Sequence, residues 1–399
     1  MEVGMTRAPV TDWASDWDHL DPAWVADPYP IWQELRGRCP VAHTNRYRGV
    51  YFPTRYGDIR DVAYDPERFS SRRVVVREGD YRVNSPPITS DPPEHRPMRM
   101  VLIPPFTPQA VAKLEPHTRS VCNELIDRFI EQGRCDGAVD YAQHIPVRII
   151  AHMLGIPAEH GDQFRTWITM ALQEGITNQA ALKQAEEEIS AYFAEQITKR
   201  RAQPGDDLVS FLIKARLPDG EPFSDREVLG ALRLLLIAGI DTTWSAIGSS
   251  IWHLSTHRSD RECLVREPEL IPSAIEEFLR AYAPVTMARE IVEDGELAGC
   301  PMRKGEMVLL SFPSANRDPQ KFADAGSIRI DRKENPHVAF GLGIHRCIGS
   351  NLARMEMRIA LEEWLKRIPD FELDRTRPMT WSEGTVRGPR LMPIIFAPR

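Results

Sequence analysis

The string Phe340-Gly341-Leu342-Gly343-Ile344-His345-Arg346-Cys347-Ile348-Gly349 sets one thiol among three glycines, directly ahead of a helical pattern. Glycine lets a backbone turn tightly and come close to a flat object. The amides opening the next helix, from about Ile348, point at the sulfur, and with the helix dipole they favour a thiolate, the form that ligates metal. Zinc fits poorly, because Cys347 and His345 have no C-x-x-C or H-x-x-x-H partner pair to complete a site. A second string, Ala238-Gly239-Ile240-Asp241-Thr242-Thr243, puts a glycine mid-helix, which costs about 1 kcal/mol against alanine. A planar ligand or O2 approaching the backbone is one reason for it. The Thr242 hydroxyl can bond the Ala238 carbonyl and open the helix locally. Asp241 beside it supplies an ionisable group, and acid and alcohol together can relay protons to reduced oxygen.

These strings resemble the cytochrome P450 family. Its haem-binding signature, Phe-x-x-Gly-x-x-x-Cys-x-Gly, is met by Phe340, Gly343, Cys347 and Gly349. Its acid–alcohol motif is met by Ala238 to Thr243. Its Glu-x-x-Arg motif is met by Glu277 and Arg280, and its Asp-Pro-Pro-x-His-x-x-x-Arg stretch by Asp91 to Arg99. Ala315-Asn316-Arg317-Asp318-Pro319 also matches a common family string and reads as turn chemistry.

The resemblance implies a mainly α fold with small β-sheets, the haem-thiolate fold. It implies haem b, with Cys347 as the axial ligand to iron and Phe340, Gly341, Gly349 and Ala238 against the cofactor. His95 and Arg99, at i and i+4, with Arg289 and His345, would hold the haem carboxylates; each can donate hydrogen bonds to an anion. Asp241 and Thr242 would be catalytic. Glu277 and Arg280 share a helix face at i, i+3 and would be structural; as a surface pair they would be worth little.

The activity implied is monooxygenation, one oxygen atom of O2 entering a C–H bond of a small, mainly hydrophobic molecule, by hydroxylation or oxidative dealkylation. Electrons would come from a ferredoxin and its NAD(P)H-dependent reductase, since no flavin fingerprint or iron–sulfur cysteine cluster is present. Arg346, Arg354 and Arg358 would form a basic docking patch. The substrate pocket would include Val74, Val83, Ile88, Leu235, Ala238, Val285, Met287 and Val386, an apolar set that suits a neutral substrate. Arg72, Arg73 and Arg77 read as solvated loop charge rather than as carboxylate receptors. The stretch Ile237 to Gly248 resembles bacterial members that oxidise small ethers, thiocarbamates and other xenobiotics, so oxidative dealkylation is the leading expectation, ahead of hydroxylation of a terpenoid, fatty acid or aromatic compound. The alternatives are a haem-thiolate peroxygenase or isomerase, or a non-enzymatic haem sensor; the retained Asp241–Thr242 pair counts against them.

Helices must carry these groups. Ser224 to Leu254 reads as one long helix opening at a capping box, Ser224 with Glu227. Val111 to Gln132, Ala180 to Arg201 and Asn351 to Lys366 read as others, Val41 to Asp58 as short strands, and the tail from Arg375 as loops and strands. Residues 1–399 are expected to form one domain, with 1–25 a loosely ordered segment. A hydrophobic fraction of 42% with 27% charged residues is that of an ordinary globular chain, able to bury an apolar cofactor. The net charge of −7 argues against nucleic-acid binding. Six scattered cysteines suggest reduced intracellular thiols. The first residues lack a signal-peptide pattern, and the most apolar run, Leu234 to Ile240, is shorter than a membrane span. A cytoplasmic monomer without membrane contact is the expectation.

Overall fold

A computed structural model describes residues 7–398. The elements that build the site are helices α1 (His95–Leu102), α2 (Glu115–Asp127), α3 (His144–Met153), α4 (Gly161–Leu172), α5 (Gln179–Ala202), α6 (Asp225–Thr256), α7 (Ile271–Ala281) and α8 (Ser350–Arg367). Strands β1 (Val41–Thr44), β2 (Val50–Pro53), β3 (Phe69–Ser70), β4 (Thr286–Ile291) and β5 (Met307–Ser311) form one mixed sheet in the order β1-β2-β5-β4-β3. Smaller ribbons near the C-terminus pair Thr380–Trp381 with Pro389–Leu391 and join Pro393–Phe396 to Arg134–Asp136 and Phe371–Leu373. The fold is mainly α with small sheets.

Helix α6 is the axis of the core. Its start is set by the capping box: Ser224 Oγ accepts from the Glu227 amide at 3.3 Å, and Glu227 accepts from the Ser224 amide at 2.7 Å. Two orphan amides are thereby satisfied. The helix is long and apolar enough to cross a membrane by length and composition, yet 72% of its most apolar window is buried inside the protein, against α3, α5 and α8. That is the pattern of a core helix.

Two expectations are corrected. The Val111 to Gln132 stretch is not one helix: Pro108–Ala112 and α2 are separate, and Ile130–Gln132 is a 3-10 turn. Pro116 lacks an amide donor and its ring collides with the carbonyl four residues back, so the helix must restart there. The N-terminal segment is not loose from residue 7 onward. Trp17 and Trp24 are buried against Phe52 at 5.5 and 5.3 Å between ring centres. Arg46 clamps Asp16 and Asp18, each at 2.7 Å. Residues 1–6 lie outside the described part.

In β4 the two-residue period of a strand decides the site. Met287 and Arg289 face the interior cavity together with Val285 just ahead of the strand, while Ala288 packs on the opposite face among Trp24, Phe52 and Leu309.

Candidate active site: the cavity at Cys347

Cys347 lines an interior cavity of about 240 Å³ walled by the 340–349 loop, the start of α8, the middle of α6 and β4. The loop is shaped by backbone bonds, Cys347 N to Phe340 O at 2.8 Å and Gly341 N to Val338 O at 2.9 Å. Gly341 and Gly343 have φ of +73° and +66°. At Gly343 a Cβ would sit 2.2 Å from the Ala63 carbonyl oxygen, so no side chain fits. Helix α8 opens at Ser350, between the starts at about Ile348 and at Asn351 read from the sequence, with Gly349 as its cap. Burial pushes the Cys347 thiol up; the Gly349 amide, Arg99, Arg346 and Arg354 oppose it, in that order. The amide and the three guanidinium groups only partly offset burial, and a bound metal cation would supply the rest of what a thiolate needs.

The acid–alcohol pair is split by the helix. Thr242 lines the cavity and donates to the Ala238 carbonyl at 2.9 Å, the bond expected from the sequence, and α6 runs on without a break. Asp241 is fully buried and is not among the lining residues. It accepts from Arg390 Nη2 at 2.7 Å, and Arg390 also donates to Ser245 Oγ at 3.1 Å and lies 4.2 Å over the Trp244 ring. Burial raises the Asp241 carboxyl and Arg390 opposes this. Arg390 carried no signal in the sequence; only the return of the C-terminal ribbon against α6 places it here. Gly239 lines the cavity, and it also has a reason in packing. A Cβ there would lie 2.7 Å from Ile150 Cδ1, so the glycine lets α3 pack closely on α6.

At the other edge four donors converge. Arg289 is 4% exposed, and among the described residues its side chain hydrogen-bonds only its neighbour's carbonyl, Ala288 O, at 2.7 Å. The His95 and His345 rings meet edge-on with centres 4.4 Å apart. His345 Nε2 is hydrogen-bonded to Ser71 Oγ at 2.8 Å, whereas His95 Nε2 is buried without a partner. Arg99 donates to the Arg346 carbonyl. The nearby acid, Asp91, is occupied by Ser70 Oγ and the Ser71 amide at 2.6 and 2.7 Å. Burial, then the neighbouring arginines, lowers His345 to about 2 and His95 to about 4; burial lowers Arg289 to about 10. Among the described residues this cluster has donors to spare, and its nearby carboxylate, Asp91, is already engaged. Such a deficit is costly unless a ligand supplies carboxylates. A flat group with two carboxylates at this edge and a metal over Cys347 fits what is present.

Of the expected pocket residues, Ile88, Leu235, Ala238, Val285 and Met287 line the cavity. Val74, Val83 and Val386 do not. Val83 packs against the Ala171–Leu182–Ala185 cluster, Val74 gives its carbonyl to the Ala288 amide, and Val386 bridges Val285 through the backbone. Pro87, Leu234, Ile150 and Ala246 line it without having been singled out. Phe340, Gly341, Gly349, Arg99, Arg289 and His345 all reach the cavity, and His95 contacts it through His345.

The expected basic patch is largely neutralised. Arg354 grips Glu276 at 2.6 and 2.8 Å and covers the Phe340 ring at 4.4 Å. Arg358 binds Glu115 and Glu362 at 2.8 and 3.0 Å. Glu277 and Arg280 are not a surface pair: both are 0% exposed, and all five Arg280 N–H groups are used, on Glu277, Asn316 O, Ala325 O and Ser327 O.

The fold and a thiol-faced cavity with an anion cradle define a haem-thiolate protein. The model of the family "Cytochrome P450" matches residues 265–384. The mycinamicin IV hydroxylase/epoxidase of Micromonospora griseorubida is 36% identical, covering 91% of this chain and 94% of its own. The steroid C26-monooxygenase of Mycolicibacterium smegmatis is 35% identical over 88% of each. The solved structure of the Bacillus subtilis cytochrome P450 PksS superposes with a TM-score of 0.88, at 30% identity, over 96% of this chain and 100% of that one. The chain belongs to the cytochrome P450 family: it is a monooxygenase that uses haem b, binds an organic substrate and O2, and draws electrons from redox partners.

Proposed function

We propose that this enzyme inserts one oxygen atom into a hydrophobic organic molecule held against α6, Val285 and Met287, with Cys347 as the iron ligand, Thr242 as the group handling protons at the cavity, and Asp241 feeding it. The observation that carries this is the joint placement of Cys347, Thr242 and the donor-rich Arg289–His95–His345 cluster at one cavity, with His95 Nε2 unpartnered among the described residues. When bound, haem supplies the activation of O2, and a thiolate ligand favours O–O cleavage.

The protein's own part follows from the contacts. Because the Thr242 hydroxyl donates to Ala238 O, its oxygen is left as an acceptor toward the cavity and holds a proton-bearing group there. Asp241 is locked on Arg390, whose side chain is mostly buried but reaches solvent. A proton arriving along that edge is taken up by Asp241 only as the ion pair loosens, which makes Arg390 a positioning residue. The apolar lining excludes water that would divert reduced oxygen.

Hydroxylation is the favoured outcome, because two of the relatives carry that class of reaction in their names; oxidative dealkylation of small xenobiotics is the second. A ferredoxin with an NAD(P)H-dependent reductase supplies the electrons, docking near exposed Arg346, which has no ion pair among the described residues. The enzyme works as a cytoplasmic monomer. A screen of hydrophobic compounds by spin-state shift, followed by product analysis with a surrogate ferredoxin, tests the reading. Thr242→Ala is expected to divert reducing equivalents to peroxide; unchanged coupling would remove Thr242 from the relay. Arg346→Glu is expected to slow reduction by the ferredoxin.

A further inference from the structure

Glu276 and Glu277 are neighbours on α7 with different partners. Glu277 binds Arg280 and Arg332 in the core. Glu276 serves the segment that carries the iron ligand. Its carboxylate accepts from Arg354 Nε and Nη2 at 2.6 and 2.8 Å, and from His337 Nε2 at 3.0 Å. The other nitrogen of His337 fixes its tautomer. The Ala339 amide donates to Nδ1 at 3.2 Å, so the ring proton sits on Nε2 and His337 is neutral. One carboxylate thus joins α7, α8 and the chain that runs into Phe340.

Arg354 stands behind the site rather than in it. Its guanidinium lies 4.4 Å from the centre of the Phe340 ring, and Phe340 lines the cavity while Arg354 does not. The Phe340 carbonyl in turn accepts the Cys347 amide at 2.8 Å. Three guanidinium groups favour a charged sulfur at Cys347, those of Arg99, Arg346 and Arg354. Among the described residues, Arg354 is the one of these held by an ion pair. A two-pronged grip fixes both the place and the plane of a guanidinium. Its charge is therefore fixed relative to the sulfur.

We propose that the Glu276–Arg354 pair tunes the one-electron reduction of the haem iron, with Arg354 as a positioning residue that favours the reduced form and Glu276 as the group that holds and moderates it. This rests on Cys347 being the iron ligand and adds a control on electron entry. Reduction leaves the iron–thiolate centre one unit more negative. A cation behind the ligand favours that state and an anion disfavours it. Of the two, Arg354 is the member packed on Phe340. Both side chains are 32% exposed, so solvent and salt screen the effect and keep it small.

The test is a spectroelectrochemical titration of substrate-free, haem-loaded enzyme at neutral pH, with thermal midpoints alongside. Arg354→Gln removes the cation and leaves the anion. It is expected to shift the equilibrium against the ferrous form by about threefold, which is about 30 mV at about 59 mV per tenfold. Glu276→Gln removes the anion and leaves the cation, and is expected to shift it the other way. The double variant is expected to return close to the unaltered potential, and Arg354→Lys to keep most of it. A purely structural brace cannot give opposite signs, because breaking it from either side loosens the same contact. Shifts of the same sign, or no shift in either single variant, overturn the proposal and leave the monooxygenase reading standing. Should Arg354→Gln fail to take up haem, Glu276→Gln decides: a raised potential supports the proposal, and a lowered or unchanged one overturns it. Absence of a thiolate-ligated spectrum in the unaltered enzyme removes the iron-ligand reading and this proposal together.

Discussion

Two buried, arginine-bearing clusters lie on opposite terms with their surroundings. Around Glu277, every charge is answered: Arg280 and Arg332 donate to it at 2.8 and 2.9 Å, with the Arg329 amide at 2.8 Å and Asn335 at 3.2 Å. Around Arg289, the donors exceed the acceptors, and His95 Nε2 and most of the Arg289 fork have nothing to bind. A cluster closed on itself holds a fold; a cluster left open holds a ligand. The distinction rests on counting hydrogen bonds, because burial alone is the same in both.

The sharpest way to break this comparison is to open the closed cluster. Glu277→Gln leaves two buried guanidinium groups short of a counterion and should cost about 3–5 kcal/mol, read as a lost or strongly lowered thermal transition. Arg289→Met should do the reverse, removing an unpaired cation. The protein is expected to fold as well as before but to release haem to apomyoglobin about tenfold faster or more, by the loss of one charge-assisted bond. Unchanged haem release would mean that Arg289 does not hold the cofactor.

The pH dependence separates the clusters further. His95 is lowered to about 4 by burial and then by Arg99, so the folded haem-free chain refuses a proton that the unfolded chain accepts below about 6.5. Stability should therefore fall as pH drops from 6.5 to 4, and His95→Gln should flatten that interval. Glu276 behaves oppositely. Burial raises it, but hydrogen bonds from Arg354 and His337 prevail and hold it at about 2. Its contribution is complete above 4.5 and is lost as pH falls from 4.5 toward 2. Urea midpoints across this range for His95→Gln and Glu276→Gln check both signs. The smallest effect expected is Arg358→Gln, whose half-exposed pairs with Glu115 and Glu362 are worth about 0–1 kcal/mol.

Much of this was readable in the chain. The capping box at Ser224 and Glu227, the Thr242–Ala238 bond and the turn chemistry at Gly341 and Gly343 are local, fixed within four residues or by a backbone angle. Arg390 beside Asp241 was not readable, nor were the burial of Glu277 with Arg280 and that of Arg77, which is 8% exposed rather than solvated. Each depends on which distant segment returns to cover it. Gly239 was singled out for its position and does line the cavity, but its close packing on Ile150 was not readable, since a glycine shows that something comes close and not what.

The sequence by itself singled out Cys347 as the candidate ligand, its glycine loop, the helix that carries acid and alcohol, and the family. These are short-range patterns, where residue type and spacing dictate backbone shape and donor placement. Only the tertiary structure decided which charges are cancelled and which are left open. Desolvation and pairing depend on partners far apart in the chain, and a buried arginine reads the same as a solvated one until the elements around it are packed.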